Sequence, residues 1–193
     1  MTVFRIVVLA SGSGTLFQAL IDQQDLHQGK LVGLITDVDC PAIDRAKNSA
    51  IPTFLVPLNS DRTKWDQELA RVLAELNPDL IVSAGFMKIL GHKVLAQFKG
   101  KIINTHPALL PKFPGSHAVA DALTAGEKVT GSTIHFVDEG VDTGEVITQK
   151  VVEILPSDSI QTLHERIKQV EKELLVKVVA QFVLRELLVK AGN

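Results

Sequence analysis

Short apolar runs rich in Val and Ile alternate with longer helix-period segments through the first half of the chain, and this alternation constrains the fold more than any other feature. Parallel strands buried on both faces read as such runs, and each needs a helical crossover to reach the next. Residues 4–10, 31–36, 52–56, 79–84 and 101–105 are the expected strands. Between them, Gln18–Ile21 belong to a helix ending near Gly29, and Pro41 opens a short helical stretch. Lys64–Leu76 forms an amphipathic helix with Trp65, Leu69, Val72, Leu73 and Leu76 on one face, stopped by Asn77-Pro78. A further helix is expected over Lys88–Phe98, after Gly85.

Beyond residue 105 the pattern changes. Pro107, Pro111, Pro114 and Gly115 make residues 106–117 an irregular loop, and ordered loops of this kind are often functional. Ser116 is the expected cap of a helix over 118–125. Residues 130–137 and 146–154 read as a paired antiparallel ribbon joined by the acidic connection Asp138–Gly144. Ser157 or Ser159 then opens a long helix, in which Ile160, Leu163, Ile167, Val170, Leu174, Val178 and Phe182 make a core-packing stripe. The expectation is an α/β fold: an open, mostly parallel twisted sheet with helices on both faces, an antiparallel strand pair in the C-terminal part and a long C-terminal helix.

Composition narrows the function. With 193 residues, 46% of them hydrophobic and a formal net charge of −2, the chain can bury a sizeable core and carries no basic run of the kind that binds nucleic acid. No apolar stretch approaches the ~18 residues of a membrane span, and the first strand, with Arg5 inside it, makes a poor signal peptide. The single cysteine, Cys40, excludes an internal disulfide and suits a cytoplasmic setting.

Three segments carry potential chemistry. In Ser11-Gly12-Ser13-Gly14-Thr15, small residues let backbone N–H groups approach an anion at a helix N-terminus, with phosphate the natural guest. Position 17 is Phe and no Lys-Ser/Thr pair follows, so neither a dinucleotide fingerprint nor a P-loop is present; a turn that merely links strand to helix has the same sequence. Asn104 and His106 share a face at the carboxyl end of the fifth strand, where open α/β sheets place ligands. Together they suit acyl-type transfer, the Asn donating to an oxyanion and the His acting as acid or base; a histidine merely satisfied beside a loop is the alternative. Asp142 would orient and charge that imidazole if its loop doubles back to the sheet, and otherwise is a turn residue. His135, Cys40 and Glu139 read as structural or solvated. No Cys/His/carboxylate set has metal-ligand spacing and no Gly-x-Ser-x-Gly elbow occurs.

Ser11–Gly14, Ala84–Leu90, the stretch Ile103-Asn104-Thr105-His106-Pro107-Ala108-Leu109-Leu110-Pro111-Lys112-Phe113-Pro114-Gly115, and Asp138–Gly144 closely resemble, in order and spacing, the phosphoribosylglycinamide formyltransferases, folate-dependent enzymes of purine synthesis. The resemblance implies a Rossmann-like formyltransferase fold and transfer of a formyl group from 10-formyltetrahydrofolate to the amine of 5-phosphoribosylglycinamide without a metal. It makes His106 the general acid, Asn104 a donor to the same oxygen, and Asp142 the partner that sustains the protonated histidine. Gly12, Ser13, Gly14, Thr15 and Leu16 would hold the ribonucleotide phosphate and Glu171 its ribose. Met87, Lys88, Ile89 and Leu90, together with Asn104, Asp138, Glu139, Gly140, Val141 and Asp142, would line the folate site, with Arg62 near it. The expected arrangement is a single formyltransferase domain over 1–193, its N-terminal half on the ribonucleotide side and its C-terminal half on the folate side, acting on small molecules as a monomer or homodimer.

Two positions depart from the family. Leu16 stands where an Asn is usual and removes a polar donor near the phosphate, and Ala118-Val119-Ala120 replaces a more polar run. Weaker ribonucleotide binding is expected, with Asn104, His106 and Asp142 untouched. Methionyl-tRNA formyltransferases and formyltetrahydrofolate deformylases share the core but carry a further domain for which this chain has no room; a non-catalytic folate or sugar-phosphate binder is the remaining alternative.

Overall fold

The computed structural model describes residues 3–191. Its described elements run, in chain order, β1 (Arg5–Ala10), α1 (Thr15–Asp22), α2 (Gln24–His27), β2 (Lys30–Thr36), α3 (Ala42–Asn48), β3 (Thr53–Leu55), α4 (Arg62–Leu76), β4 (Leu80–Ser83), α5 (His92–Gln97), β5 (Ile102–His106), α6 (Ala118–Thr124), β6 (Val129–Phe136), β7 (Val146–Glu153) and α7 (Ile160–Ala191). The strands form one sheet in the order β3-β2-β1-β4-β5-β6-β7. Pairings from β3 through β5 are parallel, and β6 pairs antiparallel with both β5 and β7.

Side chains alternating along the buried strands divide the core between two faces. Ile6, Val8 and Ala10 of β1 pack with Leu16, Phe17 and Leu20 of α1, Ala42 and Ala46 of α3, and Leu175, Val178 and Val179 of α7. Val7 and Leu9 point the other way, against Trp65, Leu69 and Leu73 of α4 and Val94 of α5. Because the chain leaves β1 for β2 and β3 and returns to β4 on the opposite side of β1, the loops after β1 and β4 diverge and open a crevice at the carboxyl edge.

Three expected boundaries shift for tertiary reasons. The helix expected from Lys88 begins only at His92, because residues 86–90 are held in a loop by distant side chains. Its cap is Asp66 of α4, whose carboxylate accepts from the Lys93 amide at 2.7 Å. Ser116 does not cap α6; its hydroxyl lies 3.1 Å from Nδ1 of His117, the residue at the cap position. The segment read as one helix ending near Gly29 is divided into α1 and α2. At α7, Ser159 is the cap, its Oγ accepting from the Thr162 amide at 3.1 Å.

Candidate active site

The carboxyl-edge crevice deepens into a cavity of about 550 Å³. Its wall is assembled from residues 11–16 after β1, 83–90 from the end of β4, 104–107 at the end of β5, Gly115 and Ser116, His135 on β6, Val137, Asp138 and residues 140–142 of the next loop, and His164, Lys168 and Glu171 of α7. First-half residues 86–90 and last-helix Glu171 therefore share one wall, and the two halves of the chain interleave around the cavity.

At one end lies the glycine turn. Gly14 holds φ at 68°, and a Cβ there would stand 2.7 Å from Ala42 Cβ, so both backbone and space require glycine. The Gly12 carbonyl accepts from the Ala42 amide at 3.2 Å and the Ser13 carbonyl from Arg45 Nε at 2.7 Å. With those acceptors tied to α3 and no side chain capping α1, the first N–H groups of α1 remain as donors at the cavity wall. Leu16 lies on that wall while its side chain packs in the core, 8% exposed. On the same wall, Glu171 is 4% exposed, and burial pushes its carboxyl up to about 7 against the pull of Lys168. His164, two turns earlier, is held below its ordinary value by burial and by Lys168.

The middle of the wall is the loop after β4. The Met87 amide donates to Ser11 Oγ at 2.8 Å, Arg62 Nη2 donates to the Ile89 carbonyl at 2.6 Å, and Leu90 inserts into the core. Arg62, its guanidinium 4.9 Å over the Trp65 ring, thus braces this loop from behind and does not line the cavity. Glu139 is also off the wall, its carboxylate 3.4 Å from His92 Nδ1.

The opposite end is built from side chains. His106 is 3% exposed and sits between two acceptors: Nε2 lies 2.8 Å from the Phe113 carbonyl and Nδ1 lies 3.3 Å from Asp142 Oδ2. Only the doubly protonated ring donates to both. Burial pushes His106 below its ordinary value, Asp142 and the Phe113 carbonyl push it up, and His135 lowers it again; burial dominates. Asp142 is held down at about 2 by its hydrogen bond with His135 and by the Gly115 amide, which outweigh burial. That amide donates to Oδ2 at 2.8 Å, fixing the proline-rich loop to the acidic one. Asp142 itself has φ 55°, and Gly144 is required because a Cβ would lie 1.8 Å from the Phe136 carbonyl oxygen; this close return of the loop brings Asp142 to β5.

Asn104 and His135 are register partners across β5 and β6. Asn104 Nδ2 lies 3.2 Å from His135 Nε2 and 3.5 Å from Asp142 Oδ1. His135 Nδ1, 2.8 Å from the Phe136 carbonyl, donates there, so Nε2 accepts from Asn104 in the neutral ring and faces Asp142 Oδ1, 3.5 Å away, as a donor in the charged one.

The structure therefore brings Asn104, His106 and Asp142 together and places Gly12–Leu16, Met87–Leu90, Asp138, Gly140, Val141 and Glu171 on the same cavity. It adds His135, read from sequence as structural, and His164 and Lys168, which were not singled out. His135 becomes visible only once β6 is registered on β5. The other two could have been found from their spacing with Glu171 on a single helix face. Among the described residues no group of three or more His, Cys, Asp or Glu could hold a metal ion.

A fold of parallel strands with an antiparallel extension, a glycine turn after its first strand and an Asn-His-Asp cluster at its edge defines a class, and the comparisons agree. The chain belongs to the formyl transferase family, whose model matches residues 4–179, and within it to the phosphoribosylglycinamide formyltransferases. The phosphoribosylglycinamide formyltransferase of Mycobacterium tuberculosis is 48% identical over 179 residues, covering 91% of this chain and 83% of that protein. The trifunctional purine biosynthetic protein adenosine-3 of Drosophila melanogaster is 39% identical over 186 residues, 93% of this chain but 14% of that protein. The crystal structure of glycinamide ribonucleotide transformylase 1 from Geobacillus kaustophilus superposes with a TM-score of 0.88 at 40% identity, covering 94% of this chain and 100% of that one.

Proposed function

We propose that this formyltransferase moves the formyl group of 10-formyltetrahydrofolate onto the amine of 5-phosphoribosylglycinamide in purine biosynthesis, in the cytoplasm, with residues 1–193 acting as one catalytic unit. The observation that carries the reading is the convergence of Asn104, His106 and Asp142 at one end of a cavity whose other end is a glycine turn offering N–H donors. The turn suits the ribonucleotide phosphate, Glu171 its ribose, and the loops 86–90 and 138–142 the folate ring system.

When the amine attacks the formyl carbon, a C–N bond forms and the carbonyl oxygen becomes an oxyanion. His106 Nε2 gives up the Phe113 carbonyl to donate to that oxygen, and Asn104 exchanges its long contact with Asp142 for the same task. Asp142, ionised because its carboxyl is held at about 2, stabilises the imidazolium. As the bond to the folate nitrogen breaks, that nitrogen takes a proton and the attacking amine loses one, with His106 and Asp142 placed to shuttle it.

The test is folate release from 10-formyltetrahydrofolate with the ribonucleotide, without it, and in His106→Ala. The expected result is release that requires the ribonucleotide and falls about 10²- to 10⁴-fold in the variant. Release without the ribonucleotide would indicate a deformylase, and binding of both compounds with no release a non-catalytic binder.

A further inference from the structure

Asp37 follows the last residue of β2, outside the cavity wall and outside every catalytic role above, yet its side chain is 0% exposed. A carboxylate is buried at this cost only when it is bonded and charge-paired. Its Oδ1 accepts from Ser11 Oγ at 2.5 Å. Its Oδ2, without a directed hydrogen bond, faces the Lys88 ammonium at 3.0 Å. Ser11 in turn accepts from the Met87 amide at 2.8 Å, and the Ser11 amide donates to the Gly85 carbonyl at 3.2 Å. One buried carboxylate thus holds a residue of the glycine turn through Oδ1 and a residue of the loop 86–90 through Oδ2, while Ser11 ties the two segments directly.

We infer that Asp37 is a positioning residue that locks the ribonucleotide turn and the folate loop into one geometry, so that each half of the cavity is shaped in register with the other. This rests on the function proposed above for the two segments. Two features favour it over a purely structural ion pair. First, Asp37 lies just beyond β2, and both its side-chain contacts among the described residues end on segments that line the cavity. Second, Lys88 is occupied by Asp37, so its ammonium is matched within the protein and the loop offers a bound folate its main chain and the side chains of Met87 and Ile89, which are 62% exposed each. The carboxylate therefore has two consequences: it orders the loop, and it neutralises a cation that would otherwise attract anions to the folate side of the cavity.

The test uses Asp37→Asn, which keeps an acceptor for Ser11 but deletes the charge, and Lys88→Gln, which deletes the partner on a partly exposed side chain. Hydrogen exchange of the Met87–Leu90 amides, followed without any substrate, reads loop order directly; Michaelis constants and kcat are measured for both substrates. Faster exchange in both variants is expected, with KM for each substrate raised about tenfold in Asp37→Asn, kcat at saturation changed far less, and a smaller Asp37→Asn effect once Lys88→Gln is present, as interacting partners require. Exchange and both KM values within about twofold of the parent, or a double variant showing simple additivity, would overturn the inference. If Asp37→Asn does not fold, unchanged exchange in Lys88→Gln overturns it and faster exchange sustains it. Should the parent fail to transfer formyl to the ribonucleotide, the proposed function falls, while the exchange measurement still decides whether Asp37 holds the two segments.

Discussion

The two ends of the cavity are made in opposite ways. The glycine-turn end is main chain from one contiguous segment, whose conformation is set by Gly14 and whose donors come with the start of α1. The other end is side chain from three segments, Asn104 and His106 on β5, His135 on β6 and Asp142 on a returning loop, each held by another. A main-chain site tolerates change in the side chains around it and fails when the backbone cannot adopt its shape. A side-chain site fails with the loss of one functional group while its backbone persists.

The sharpest way to break the comparison is Asp142→Asn. It preserves shape yet removes the charge that sustains the imidazolium, and kcat should fall about 10²- to 10⁴-fold with a smaller change in ribonucleotide KM. Equal losses in kcat and in ribonucleotide affinity would show that the two ends are not separable. The same substitution should blunt acid denaturation: a carboxyl lowered to about 2 contributes stability that is complete above its unfolded value of 3.8 and is lost as pH falls between the two.

Glu171→Gln tests the part of the cavity wall that α7 supplies. A carboxyl raised from 4.5 to about 7 opposes folding as pH rises through that window, since the folded state holds the proton longer than the unfolded chain does. Denaturant unfolding at several pH values should show the parent losing up to about 3 kcal/mol between pH 4 and pH 8 relative to the variant, with the two curves parallel below pH 4. Parallel curves throughout would show that burial does not shift this group.

Gly14→Ala has the smallest expected energy but the most selective signature. Positive φ and the contact with Ala42 should cost roughly 1 to 3 kcal/mol, read as a lower thermal midpoint. Ribonucleotide KM should rise while folate KM stays near the parent value. A matched rise in both would mean that strain at the turn is not absorbed within it and reaches the rest of the cavity.

Particular residues show why some of this was legible in the sequence and some was not. The order of strands and helices followed from the spacing of apolar residues, since a strand buried on both faces and a helix buried on one have different periods. The glycine turn and the Asn104/His106 pair were visible because each is local: successive small residues in one case, two residues on the same strand face in the other. Residues 88–91 read as helix because nothing local forbids it, whereas Arg62 and Asp37 capture Ile89 and Lys88, and Ser11 the preceding Met87, from far along the chain. His135 read as an ordinary strand residue because only the β5/β6 register sets it beside Asn104.

The sequence by itself determined the α/β architecture, the phosphate-suited turn and the two strand residues of the reacting cluster, because short-range periodicity and backbone sterics act between neighbours. Tertiary structure alone decided that Asp142 returns to His106, that His135 completes the cluster, and that Arg62 and Asp37 brace the wall. Those contacts join residues 26 to 51 positions apart, and the ones made by His135 and Asp142 depend on a strand register and a loop return that no local preference specifies.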